Sequence, residues 1–176
     1  MKTFSAIIGL LTILGAIFAA VSFFGGFFNI AANQMDPDIV NWMLENVREA
    51  SIARHATDQP PASLDDAATV QAGARAYSQR GCVYCHGGPG ADWAKFSEGL
   101  NPGPPDLKDV ANDLSAQEIF WVVRNGIKMT GMPSFAASDP PVPDQEIWTI
   151  AAFVKKLPNV SEDDYKAWTA APAAKP

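Results

Sequence analysis

Cys82-Val83-Tyr84-Cys85-His86 is the stretch of this chain in which residue types and spacing could do chemistry. Thiols at positions 82 and 85 lie one helical turn apart. At that separation they can add to the two vinyl groups on one edge of a porphyrin. The histidine directly after the second thiol then sets its imidazole under the iron. The C-x-x-C-H spacing thus reads as covalent attachment of a c-type haem. Two other readings compete with it. A dithiol redox pair shares the C-x-x-C but has no use for the adjacent histidine. A zinc site needs further ligands, and the remaining Cys or His in the chain is His55 alone. With Cys82 and Cys85 both consumed, no disulfide can form.

Iron held by one imidazole needs a second axial donor or keeps an open face. Downstream, Asn125-Gly126-Ile127-Lys128-Met129-Thr130-Gly131-Met132-Pro133 offers two thioethers. A thioether is a soft, neutral donor that favours ferrous iron and raises the potential. Met132 is preferred, because Gly131 lets backbone approach a flat ring and Pro133 stiffens the loop behind the sulfur. Met129 and His55 are the alternatives. Met35 and Met43 lie beside or within an apolar helix face and read as packing.

The elements that must position these groups are helical. Asp36-Pro37-Asp38 opens a helix over 37–54, with Ile39, Val40, Met43, Leu44 and Val47 on one apolar face, set at the membrane surface or against the following domain. Residues 57–63, with two prolines, read as a linker. Further helices are expected over 65–80, 115–124, 144–157 and 161–168. The second of these starts at the capping-box pattern Ser115-Ala116-Gln117-Glu118 and stops at Asn125-Gly126. Pro158 ends the third, on which Ile147, Trp148, Ala151 and Val154 share a face. Residues 87–105 are rich in glycine and proline. The closing AAPAAKP reads as a mobile tail. No repeat and no convincing strand is found.

Taken together, CVYCH, NPGPPDL, GIKMTGMPSF and EIWTIAAFVKKLP resemble a membrane-anchored monohaem cytochrome c, over about residues 64–158. The resemblance implies an all-α fold: a cytochrome c-like helical domain on an N-terminal transmembrane helix. It implies one covalent haem c, with His86 and Met132 as axial ligands. It further implies that Pro105 offers its carbonyl to the free ring nitrogen of His86, fixing the tautomer. Leu107 would pack on the haem face. Gly73 and Tyr77 would meet Trp148 and its neighbours where two helices cross. Residues 87–104 are longer than in the shortest members of the family. Trp93, within them, either donates its N–H to a haem propionate or simply packs.

The organisation follows as a membrane anchor over 1–32, an amphipathic connector and linker over 33–63, a cytochrome c domain over 64–160, and a short helix and tail over 161–176. Phe4 to Ile30 contains no charged residue. As a helix it would extend roughly 40 Å, against a hydrocarbon core of ~30 Å. That length favours an uncleaved anchor over a signal peptide. Lys2 before it, and Asp36 and Asp38 after it, place the N-terminus in the cytoplasm and the bulk of the chain in the periplasm of a bacterium. Phe23, Phe24, Phe27 and Phe28 near its outer end face lipid or dock a partner's helices, and Gly25-Gly26 loosens or ends the helix.

The net charge of −6, from 13 basic and 19 acidic residues, argues against nucleic acid as a partner. Lys95, Lys108 and Lys128 fall in segments expected near the haem and would make its edge less acidic than the whole. The resulting expectation is a one-electron carrier rather than an enzyme, working with a membrane redox complex, other cytochromes, or both. It is either a fixed relay subunit or a tethered shuttle. The competing classes are a five-coordinate haem gas sensor or peroxidase, and a structural anchor whose haem is incidental.

Overall fold

The computed structural model describes residues 2–27 and 29–170. Phe28 of the phenylalanine cluster and the tail from 171 onward lie outside the described residues. Two compact units divide at Asp36 and Pro37.

The first unit is built on α1 (Lys2–Phe24). Over Thr3–Phe24 its mean hydropathy is 2.5. Its 23 residues extend ~35 Å, enough to cross the ~30 Å hydrocarbon core. Bulky side chains are exposed all round it, from Phe4 and Leu11 to Phe18 and Phe24. A helix that is apolar on every side and unburied by its own chain suits a membrane span. The uncharged run continues to Ile30, yet the helix stops at Phe24. Gly25 and Gly26 break it, with Gly26 in the left-handed region at φ +77°.

The second unit holds α2 (Asp38–His55), α3 (Ala67–Gln79), α4 (Cys82–His86), α5 (Leu107–Val110), α6 (Ala116–Asn125), α7 (Asp144–Lys156) and α8 (Glu162–Ala170). Short 3-10 turns occupy Lys95–Gly99 and Leu157–Asn159. Among the described residues there is no strand, only an isolated bridge between Gly88 and Ala91.

Helix α7 is the hub. Ile147, Ile150, Ala151 and Phe153 are at most 1% exposed and point in different directions, so α7 is covered on several sides. Against it lies α3, and the two backbones touch at Gly73. A Cβ there would run into the Thr149 carbonyl and come within 2.8 Å of the Phe153 Cβ. Tyr77, one turn along α3, packs its ring on Phe153 at 5.3 Å. Trp148 turns the other way and stacks flat on Phe120 of α6, with ring centres 4.0 Å apart. So α3 meets the neighbours of Trp148, while Trp148 itself belongs to the α6–α7 contact.

The capping box forms at the start of α6. Glu118 N donates to Ser115 Oγ, and Ser115 N donates to the Glu118 carboxylate. At the N-terminal end of α7, Asp144 takes the guanidinium of Arg124 at 2.8 Å, and Glu146 takes that of Arg80 through two bonds of 2.7 and 3.0 Å. These acids also suit the positive end of the α7 dipole. A 3-10 turn carries the chain through Pro158 after α7 ends at Lys156. Helix α8 then places Tyr165 against Phe153.

Alanine normally gains ~1 kcal/mol over glycine inside a helix. At Gly73 the collision with backbone reverses that sign. Gly73→Ala is expected to lower stability by about 1–3 kcal/mol, the usual cost of overpacking. Chemical denaturation of the solubilised holoprotein measures it; a stabilised variant would mean that the α3 and α7 backbones do not touch.

Candidate functional site

Helix α4 consists of Cys82-Val83-Tyr84-Cys85-His86 and nothing else. It can begin so abruptly because Gly81 adopts a left-handed φ of +81° between the end of α3 and the first thiol. It stops at Gly87, again left-handed at φ +65°. A short helix between two glycine hinges therefore sets the 82–85 thiol spacing at one turn. Both thiols are half-buried. Burial pushes the Cys82 thiol up to about 12. Cys82 packs on the domain core.

Two long-range contacts hold the turn after α4. Tyr77, itself 1% exposed, donates its hydroxyl to the Gly87 carbonyl at 2.8 Å. Burial raises the Tyr77 phenol well above its ordinary value, so it remains a donor. Gly88 lies under the ring of Tyr165 in α8. The Tyr165 hydroxyl is buried without a hydrogen-bond partner; Ser78 lies near enough to temper its burial-raised pKa but makes no formed bond with it.

His86 points Nδ1 at the Pro105 carbonyl, 2.9 Å away. A carbonyl can only accept, so Nδ1 carries the proton and Nε2 carries the lone pair. Burial lowers the His86 pKa, against smaller upward contributions from the Pro105 carbonyl and Asp106. The bond to Pro105 thus leaves one defined nitrogen, Nε2, ready to ligate. Pro105 precedes α5, whose N-cap Asp106 accepts from Lys108 N at 2.8 Å. Leu107, the first residue of α5, packs on the core, as Cys82 does. Lys155 of α7 reaches to the Ala111 and Leu114 carbonyls at 2.8 Å each and ties down the far end of this segment.

The two methionines of the downstream loop part company. Met132 is half-buried and packs on the same core as Cys82 and Leu107. Its carbonyl accepts from Ile127 N at 3.2 Å, and its own N–H donates to Thr130 Oγ1 at 3.1 Å. The loop returns to α6 through Phe135 N to Val123 O and Ser134 Oγ to Arg124 O. Gly126 has φ +68°, and a Cβ there would strike the Pro133–Ser134 peptide at 2.7 Å. Met129 is 95% exposed at φ +60°. Gly131 lies against the Leu100 side chain, 3.0 Å from where its Cβ would stand.

Residues 68–154 match the family model described as "Cytochrome C oxidase, cbb3-type, subunit III". This segment is a cytochrome c domain. No curated protein and no solved structure matches the chain. The cytochrome c domain implies haem c, and its residues fit that group. The site offers two thiols one helical turn apart, an imidazole with its tautomer fixed, and a thioether on a loop braced on α6.

The other residues singled out from the sequence fall outside this grouping. His55 stacks on Trp121 of α6 at 6.0 Å, where α2 docks on the cytochrome c domain. Trp93 is 46% exposed, so the core does not enclose it. Lys95 is ion-paired to Glu98 at 3.0 Å, which offsets its charge. Sequence reasoning missed Tyr165, Leu100 and Lys155 as supports of the site. Nothing local marks them, since each acts on a segment distant in the chain.

The two tyrosines around the motif should respond differently to loss of the hydroxyl. Tyr77→Phe leaves the Gly87 carbonyl without its donor and should cost about 1–3 kcal/mol. Tyr165→Phe removes an unpartnered hydroxyl and should be neutral or stabilising. Thermal unfolding of the two variants side by side checks the order.

Proposed function

We propose that this protein is a one-electron relay, with haem c attached through Cys82 and Cys85 and ligated by His86 and Met132. The observation that carries the reading is the His86 imidazole beside the two thiols of α4, with Nδ1 committed to the Pro105 carbonyl and Nε2 left to bind metal. When bound, haem c supplies a reversible ferrous–ferric couple. The chain does the rest. The thioether of Met132 favours the reduced state, and its doubly anchored loop keeps it in place in both states. A fixed ligand pair lowers the rearrangement that accompanies transfer. Leu107 and the surrounding core exclude water. The half-exposed Trp93 is assigned the propionate contact.

The working side is the periplasm of a bacterial cytoplasmic membrane, on the bias of Lys2 against Asp36 and Asp38. The partners are components of a membrane redox complex. Two observations favour a fixed subunit over a swinging shuttle. The matched family is described as an oxidase subunit. The connector is a docked helix, with Ile52 buried and His55 stacked on Trp121, rather than a free linker.

Replacing the distal sulfur separates the candidates. Met132→Ala should lower the midpoint potential by on the order of 0.1–0.3 V, within the ~0.8 V range set by axial ligation. It should also let the reduced protein bind carbon monoxide. Met129→Ala should leave both unchanged. Carbon monoxide binding by the unaltered protein would overturn the carrier reading in favour of an open-site haem protein.

Size tests the relay role. Solubilised from native membranes in mild detergent, the haem absorbance should run with a particle much larger than 18.8 kDa plus a micelle. Migration alone would instead make the protein a tethered shuttle.

A further inference from the structure

A helix on a domain surface ordinarily buries its apolar stripe and wets its polar one. The first two-thirds of α2 do the reverse. Ile39, Met43 and Val47 repeat every fourth residue and so form one line along the helix. They are 62, 54 and 66% exposed. Trp42 and Leu44 flank the line and are equally open. At ~100° per residue, Asn41, Arg48 and Ile52 fall within about 40° of one another on the opposite side. Asn41 and Arg48 are half-buried and Ile52 is buried. The side of α2 nearer the domain is therefore partly polar, and the side turned away from it is apolar except for Asn46.

We propose that this outward face lies in the headgroup region of the bilayer, with Ile39, Trp42, Met43, Leu44 and Val47 inserted among the lipids. The inference rests on reading α1 as a membrane anchor. Chain length supplies the first argument. Residues 25–37 join the two helices, and even fully extended they reach only ~45 Å. The start of α2 is thus confined to the neighbourhood of a membrane whatever the linker does.

Side-chain type supplies the second. The exposed line consists of bulky Ile, Met and Val with Trp and Leu beside it, and none of these is a small residue. Helices that pack on one another within membranes favour Gly, Ala and Ser at the contact, so this face suits lipid better than a partner helix. Tryptophan is a residue that settles at the headgroup level. Charge supplies the third. Asp38, Glu45 and Glu49 outnumber Arg48 and Arg54 on α2, so attachment is by apolar insertion and does not require anionic lipid. Because the C-terminal end of α2 is docked on α6, insertion would set the cytochrome c domain at one height above the lipid.

The test uses the full-length holoprotein in phosphatidylcholine vesicles. Its native thiols are taken up in thioethers, so an introduced cysteine labels uniquely. Spin labels go on Ile39→Cys, Met43→Cys, Val47→Cys and Glu45→Cys, with Leu14→Cys as the reference inside the span. Collisions with oxygen and with a water-soluble nickel chelate report depth. At 39, 43 and 47 the oxygen-to-nickel ratio should be several-fold higher than at 45, and lower than at 14. Ratios at 39, 43 and 47 equal to those at 45, with 14 deep in the bilayer, would overturn the inference and leave the anchor standing. A nickel-accessible label at 14 would overturn both. Labels at 43 shielded from both reagents and broadened by a second label would mean that another copy covers the face, and would also overturn it.

Discussion

The architecture depends on the absence of one carbon atom. Gly73 lets the backbone of α3 come down on the Thr149 carbonyl of α7, closer than any residue with a Cβ could allow. The rings on either side are consequences of that distance. Tyr77 reaches Phe153 and, beyond it, the Gly87 carbonyl only because the two helix axes are so near. Hydrophobic burial makes such a domain collapse, but it is non-directional. A backbone contact is directional, and here it fixes where the C-x-x-C-H motif begins relative to the centre of the core.

From that contact the two halves of the site diverge and are stabilised separately. The motif half follows α3 through the Gly81 hinge into α4, and is held by Tyr77, Tyr165 and the Pro105 carbonyl. The methionine half follows α6 through Gly126 and is held by backbone bonds to Val123 and Arg124. Helix α7 is common to both. It receives α3 on one side and the Phe120–Trp148 stack on the other, and its lysine at 155 secures the segment carrying Leu107. A donor from each half then needs no contact with the other to be correctly placed.

Features whose cause is local were legible in the sequence. The capping box at Ser115–Glu118, the helix-ending glycines at 25 and 26, and the thiol and imidazole spacing each depend on a few adjacent residues. The ends of α2, α3, α6, α7 and α8 came within a residue or two for the same reason. What stayed hidden depends on partners far along the chain. Trp148 was expected among the residues meeting Gly73, yet the apolar pattern of α7 covers so much of its circumference that it does not say which neighbour each side chain faces. The short helices α4 and α5 are too brief to show a period. Apolar spacing identified α2 as amphipathic, but spacing alone cannot tell which side is turned to the domain; that follows from the position of Ile52 and His55 on α6.

The turn after the motif has a further consequence. Gly87 is bonded by α3, which opens the core, while Gly88 and Gly90 are covered by Tyr165 and Glu162 of α8 at the other end of the described fold. The first and last helices of the core therefore meet over four residues in its middle. Such closure is non-local, and chains built this way gain little from partial assembly. During synthesis from the N-terminus Cys82 and Cys85 would remain reachable until α8 arrives. Once it does, the turn is clasped from both directions, and opening it again requires most of the domain to come apart.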